Sequence, residues 1–158
     1  MKKIICISML IAFAAVLCSC GKNTTSFKIQ PFSCEIIVSC ANEKTEAVFT
    51  YENEKNMYLD FSDIEHIGGI RVKYCDGVYD YICDGISVEH RPRITNVPLF
   101  EVFEAIELLS ECREGVSCGR KGVFSLSGDN REYIYTVDKV NGRILKIQSD
   151  SSEIIFRN

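Results

Sequence analysis

Two Asp-Gly pairs eight residues apart, in Cys75-Asp76-Gly77 and Cys83-Asp84-Gly85, constrain this chain more than any other feature. Asp-Gly supplies the two positive-φ positions of a type I′ turn, whose twist matches that of the strands on either side. The first turn sets Cys75 opposite Val78, Tyr74 opposite Tyr79, Lys73 opposite Asp80 and Val72 opposite Tyr81. The second sets Cys83 opposite Ile86, Tyr81 opposite Val88 and Tyr79 opposite His90. Both registers put Val72, Tyr74, Tyr79, Tyr81, Cys83, Ile86 and Val88 on one face, which predicts an antiparallel meander with one apolar side. Period-two alternation recurs at residues 33–40, 45–52, 57–61, 123–126, 133–138, 143–148 and 153–156, with a turn at Asn141-Gly142.

Between these runs the period changes. Leu99, Val102, Phe103, Ile106 and Leu109 recur at helical spacing, widened by Phe100, Ala105 and Leu108. Pro98 suits the first turn, Asn96 can cap it, and Gly115 lies just past the end. Glu101, Glu104, Glu107 and Glu111 line the other side, read as a solvated face, with an acidic docking surface as the alternative. The chain offers no second long helix, so this one must pack on the sheet. With 158 residues, 46% hydrophobic and 25% charged, one domain with a substantial core is expected. The predicted fold is mainly β (α+β): a curved antiparallel meander of about nine strands, forming a half-open barrel with one amphipathic helix on its concave face.

The N-terminus reads as an address. Lys2 and Lys3 precede an apolar run from Ile4 to Leu17, shorter than the ~20 residues a membrane span needs. Leu17-Cys18-Ser19-Cys20 then resembles a bacterial lipoprotein signal, with residues 1–19 removed and Cys20 carrying the lipid. A secreted protein cut after Ser19 or Cys18, or an uncleaved anchor, are the alternatives. The expected division is a signal peptide 1–19, a flexible lipid-anchored tether 20–27 and one β domain 28–158. The diacylglyceryl-cysteine would hold the domain at the extracytoplasmic face of the cell membrane, at ~0.8 kcal/mol per buried CH₂. The whole chain has net charge −4; without its signal it keeps sixteen basic and twenty-two acidic residues, net −6. That balance disfavours nucleic acid as a partner, because phosphate contacts need a basic surface.

The loop Asp63-Ile64-Glu65-His66-Ile67-Gly68-Gly69, the aromatic meander, the helix opening Val97-Pro98-Leu99-Phe100, the run from Tyr133 to Ile144 and the closing Ile154-Ile155-Phe156 together resemble the LolA/LolB-like family. The resemblance spans about Phe32 to Asn158. It implies a curved sheet able to hold an apolar ligand or an apolar segment of a partner. The N-terminal helix of the periplasmic carriers has no counterpart between Ser26 and Phe32, so the acyl-carrier role does not follow.

Candidate sites divide unevenly. The sequence contains no Gly-x-Ser-x-Gly, phosphate loop or dinucleotide fingerprint, so no enzyme activity and no cofactor are expected. Asp60, Asp63, Glu65 and His66 form a polar cluster that a solvated turn explains as well as a metal site, and no metal is assigned. His90, between Glu89 and Arg91, reads as a strand-end residue. The expected function is a non-enzymatic binding module for an apolar or lipid-like ligand held between sheet and helix. Its lining would be Val72, Tyr74, Tyr79, Tyr81 and Val88 on the sheet, with Leu99, Phe103 and Ile106 on the helix. A lipoprotein that docks a cell-envelope, cell-wall or spore-germination enzyme or regulator is the alternative. Of the nine cysteines, Cys6 and Cys18 leave with the signal and Cys20 is the anchor. Cys34, Cys40 and Cys83 read as core thiols, Cys75 lies on the opposite face from Cys83, and Cys112 and Cys118 flank a loop that a disulfide could close.

Overall fold

The computed structural model describes residues 25–41, 43–61, 69–83, 85–91, 97–112, 115–118, 122–128 and 131–157. The signal peptide, Cys20, the Asp63–Gly69 loop up to Gly68 (His66 included), Asp84 and Asn96 lie outside them, as does the His90 side chain. Six antiparallel strands follow one another: β2 (Phe32–Cys40), β3 (Glu43–Asn53), β4 (Asn56–Phe61), β5 (Ile70–Cys75), β6 (Val78–Cys83) and β7 (Ile86–Arg91). A 3₁₀ turn, Pro98–Phe100, leads into helix α1 (Glu101–Glu111). Four more strands form a second meander: β9 (Val123–Ser127), β10 (Glu132–Asp138), β11 (Arg143–Gln148) and β12 (Glu153–Arg157). β2 pairs with β12, so the two meanders join into one ten-stranded sheet that is not closed, in the order β7-β6-β5-β4-β3-β2-β12-β11-β10-β9.

The hairpin registers read from the sequence hold at Cys75–Val78, Tyr74–Tyr79, Lys73–Asp80, Val72–Tyr81, Cys83–Ile86 and Tyr81–Val88. One pairing is corrected. Tyr79 lies opposite Arg91 rather than His90, because β7 carries one extra residue between Val88 and Arg91. Such a bulge is common on the outermost strand of a sheet.

A second correction concerns the expected tether. Thr25–Phe27 form strand β1, antiparallel to β8 (Val116–Cys118), with Thr25 opposite Cys118 and Phe27 opposite Val116. Phe27 is buried against Phe124, ring centroids 5.9 Å apart. A three-residue strand with two residues outside the apolar pattern leaves no periodic trace.

Helix α1 buries Val102, Phe103, Ala105, Ile106 and Leu109, the stripe its spacing predicts. Its neighbours show that the sheet curls. Tyr79 on β6 stacks on Phe100, while Tyr135 on β10 donates its hydroxyl to the Ala105 carbonyl at 2.7 Å. β6 and β10 are seven strand steps apart. A flat sheet would separate them by about 34 Å, yet Phe100 and Ala105 are only about 8 Å apart along a helix axis. The sheet therefore wraps around the helix.

Gly122 shows how tight the second meander is. It sits at φ +69, and a Cβ there would lie 2.3 Å from the Val137 carbonyl oxygen. Its own carbonyl accepts the Val137 amide at 2.8 Å, beside an irregularity between Thr136 and Val137.

Phe103 is fully buried and touches the rings of Phe49, Tyr74, Tyr79 and Phe100. Replacing it by alanine is expected to cost about 3–5 kcal/mol, by lost burial and by the cavity left behind. Guanidinium denaturation measures this, and a loss below about 1 kcal/mol would mean that the helix is not held by this cluster.

Candidate functional site

The residues expected to line a ligand cavity between sheet and helix are brought together, but they fill that space themselves. Val72, Tyr74, Tyr79, Leu99, Phe103 and Ile106 are all buried. Tyr74 stacks on Phe103 at 5.4 Å, and its ring meets Tyr79 edge-on at 5.1 Å. Tyr81 is half-buried and stacks on Tyr79. Aromatic pairs at these separations are favourable beyond the area they bury, so this is packed core and not a ligand cavity. Val88 is 40% exposed and its neighbour Ile86 is 71% exposed. Both lie on β7, beyond the reach of α1.

The open space lies at another part of the inner face. A depression of about 530 Å³ is bounded by Phe27, by residues 29–34, by Asn141–Ile144 and by Phe156. Phe27, Ile144 and Phe156 are buried, and Phe32 and Cys34 half-buried, so its floor is apolar. Gln30, Ser33, Asn141 and Arg143 are exposed and form a polar rim. Ile29 lines this depression and also a smaller one of about 250 Å³ beside Tyr51 and Leu109, near the end of α1. The segment 28–31 is thus a strap that parts the two. Reasoning from periodicity missed this region, because its walls come from a short extended segment and a turn. The signal available was Phe27, Ile29 and Phe32, an apolar group that straddles the expected boundary between tether and domain.

The glutamate stripe is corrected at its first member. Glu101 is 3% exposed and accepts four hydrogen bonds. Oε1 takes Arg131 Nη1 at 2.5 Å and Ser151 Oγ at 2.8 Å, while Oε2 takes Ser149 Oγ at 2.8 Å and Ser152 Oγ at 2.5 Å. The Ser149 hydroxyl in turn accepts the Ser151 and Ser152 amides, so the β11–β12 turn is folded around the carboxylate. Burial pushes this carboxyl up, but the three serines and Arg131 outweigh it and hold it below its ordinary value. The first turn of a helix also favours a negative charge. Glu104 and Glu107 are half-buried and only Glu111 is exposed. Glu107 is shifted the other way, raised by burial against the lowering bond from Tyr74 and with Glu111, Asp76 and Glu104 nearby. Burial likewise raises the Tyr133 hydroxyl to about 12, beside Glu104 and Glu101.

The cysteines also differ from expectation. Cys112 and Cys118 are free thiols, pointed at the Leu108 and Val116 carbonyls rather than at each other. Cys118 is buried, whereas Cys34, Cys40 and Cys83 are only half-buried. Burial pushes the Cys34 thiol up to about 11, against a lowering contribution from Arg143.

Among the described residues no three His, Cys, Asp or Glu side chains converge as a metal site would need. None of the described helices is long and apolar enough to cross a membrane. No family model and no curated protein matches the sequence.

Glu101→Gln keeps the shape of the side chain and removes its charge. At pH 7 it is expected to cost about 1–3 kcal/mol, since bonds to a charged acceptor are the stronger kind. The folded carboxyl titrates below the unfolded one, so its contribution is complete above the ordinary value of 4.5 and is lost as pH falls through the lowered folded value. Urea denaturation should show the wild-type advantage shrinking from pH 7 to pH 3. An advantage that does not change with pH would assign the clamp to shape and not to charge.

Proposed function

We propose that this chain is a lipid-anchored, extracytoplasmic, non-enzymatic binding module with a LolA/LolB-like half-barrel, which holds an apolar or lipid-like ligand. The observation that carries the reading is the depression with an apolar floor at the uncovered end of the inner sheet face. Its volume is in the range of small-molecule sites. One of its walls, Phe27, ends strand β1, which begins five residues after Cys20. A lipid on Cys20 would thus keep the mouth of the depression close to the bilayer from which a lipid-like ligand would come. The ligand site is the strap and the β2, β11 and β12 end of the sheet, in place of the Tyr74–Phe103 contact.

The docking reading, in which an envelope protein is the partner, is favoured by a different observation. Ile86 and Val88 are exposed on β7, the outermost strand of the sheet. Outermost strands with exposed apolar side chains are common places for another chain to add.

Cys20→Ser is expected to abolish incorporation of labelled palmitate and to move the protein out of the membrane fraction; retention of both would remove the anchor from the reading. Native mass spectrometry of the full-length protein from its own membrane should show a non-covalent acyl species that Ile29→Glu reduces at least tenfold. A stoichiometric protein partner with no lipid species would favour docking instead.

A further inference from the structure

Val140, at the tip of the β10–β11 turn, is 96% exposed, more than any other large apolar side chain among the described residues. The turn that presents it is firmly held. Gly142, at φ +65, donates its amide to the Asp138 carbonyl at 2.8 Å. The Asp138 carboxylate accepts the Val140 amide at 2.8 Å, and the Asn141 side-chain carbonyl accepts the Arg143 amide at 3.1 Å. These bonds account for Asp138, Asn141 and Gly142, but they ask nothing of the side chain at 140, where turns usually place a polar residue. Two more exposed apolar side chains lie near the same end of the second meander. Val123, 40% exposed, is opposite Thr136 on β10, and Leu145, 39% exposed, lies two residues beyond the turn. The chain also enters the fold here. Thr25 pairs with Cys118, a Cβ on Gly122 would lie 3.4 Å from Lys139 Cγ, and Phe27 lines the same depression as Asn141 and Gly142.

We infer that the β10–β11 turn is a second membrane contact, in which Val140 enters the headgroup boundary and sets which side of the domain faces the bilayer. The inference rests on the lipid-anchor part of the proposed function and not on ligand binding. Five residue steps separate Cys20 from Thr25, at most roughly 18 Å of extended chain, so a lipid on Cys20 would hold this end of the domain at the interface. One apolar side chain binds a bilayer weakly by itself. Beside a covalent lipid the second contact becomes intramolecular, and a weak one suffices to choose an orientation. A protruding tip offers a protein partner little area, whereas a bilayer needs no complementary shape. Charge favours the same side. Lys139 is exposed next to Val140 and suits anionic headgroups. The β3–β4 and β5–β6 turns lie at the same end of the sheet but under the first meander, and there Glu52, Glu54 and Asp76 are exposed. An anionic surface repels those carboxylates, which tilts the second meander toward the bilayer.

The chain has no tryptophan, so a single introduced one reports only its own surroundings. Full-length protein purified from its own membrane is placed in vesicles of phosphatidylcholine and phosphatidylglycerol and recovered by flotation. Val140→Trp is compared with Lys55→Trp, in the β3–β4 turn, and with Asp150→Trp, in the β11–β12 turn at the opposite end; both of these positions are exposed. The Val140→Trp emission is expected to move to shorter wavelength and to be quenched by brominated lipid at least threefold more than the other two. The two controls carry the same indole, so its own liking for interfaces cannot produce the difference. Adding Lys139→Gln, or omitting phosphatidylglycerol, should reduce the quenching at 140 without changing flotation. Protein that floats while Val140→Trp keeps a solvent-exposed emission overturns the contact and leaves the anchor in place. Equal quenching at all three positions overturns the fixed orientation. Quenching at 140 that is indifferent to both Lys139→Gln and phosphatidylglycerol overturns the part given to charge. Protein that does not float overturns the anchor reading and this contact with it.

Discussion

One helix has to cover the inner face of a ten-stranded sheet, and the rest of the structure depends on that mismatch. A helix with its side chains is about 10–12 Å across, while ten strands laid flat would span more than 40 Å. Curling the sheet brings β6 and β10 to the same helix, and aromatic rings make up the remaining width. Phe49, Tyr74, Tyr79, Phe100 and Phe103 close the space near β3 to β6. Phe124 and Tyr135, stacked at 4.9 Å, do the same near β9 and β10. What the helix does not reach stays open: the exposed pair on β7 and the depression beside β2, β11 and β12.

The Glu101 clamp decides where along the sheet the helix lies. A buried carboxylate is tolerated only when its hydrogen-bonding capacity is met. Here three serines of one turn and Arg131 meet it. Because these groups sit at the Gln148–Glu153 end of the β11–β12 hairpin, the helix begins there and runs away from it. The opposite end, at Arg143, is left to the strap. The clamp and the depression are thus two ends of one arrangement, and moving the helix along the sheet would lose the first and change the second.

Much of the fold was legible from residues alone. The Asp-Gly pairs and the alternation around them gave six of seven cross-strand pairs, since turn geometry sets register and register sets the face. The helix and its buried stripe were legible for the same reason, a period carried by side-chain type. The site was not. Tyr74, Tyr79 and Phe103 read equally well as ligand lining and as core, because composition does not say whether rings meet each other or leave a gap. Glu101 looked like its neighbours Glu104, Glu107 and Glu111, because its burial depends on three serines some fifty residues away in sequence.

Sequence by itself determined the β class, the hairpin registers, the single amphipathic helix and the expectation of a lipidated N-terminus. All are local patterns, in which each residue is judged against neighbours a few positions away. Tertiary structure alone decided that β2 and β12 join the two meanders, that residues 25–31 belong to the fold, that the aromatic face is packed and that an apolar floor with a polar rim remains at one end. These depend on distances between segments far apart in the chain, and packing to the density of a protein interior sets those distances only once every element is in place.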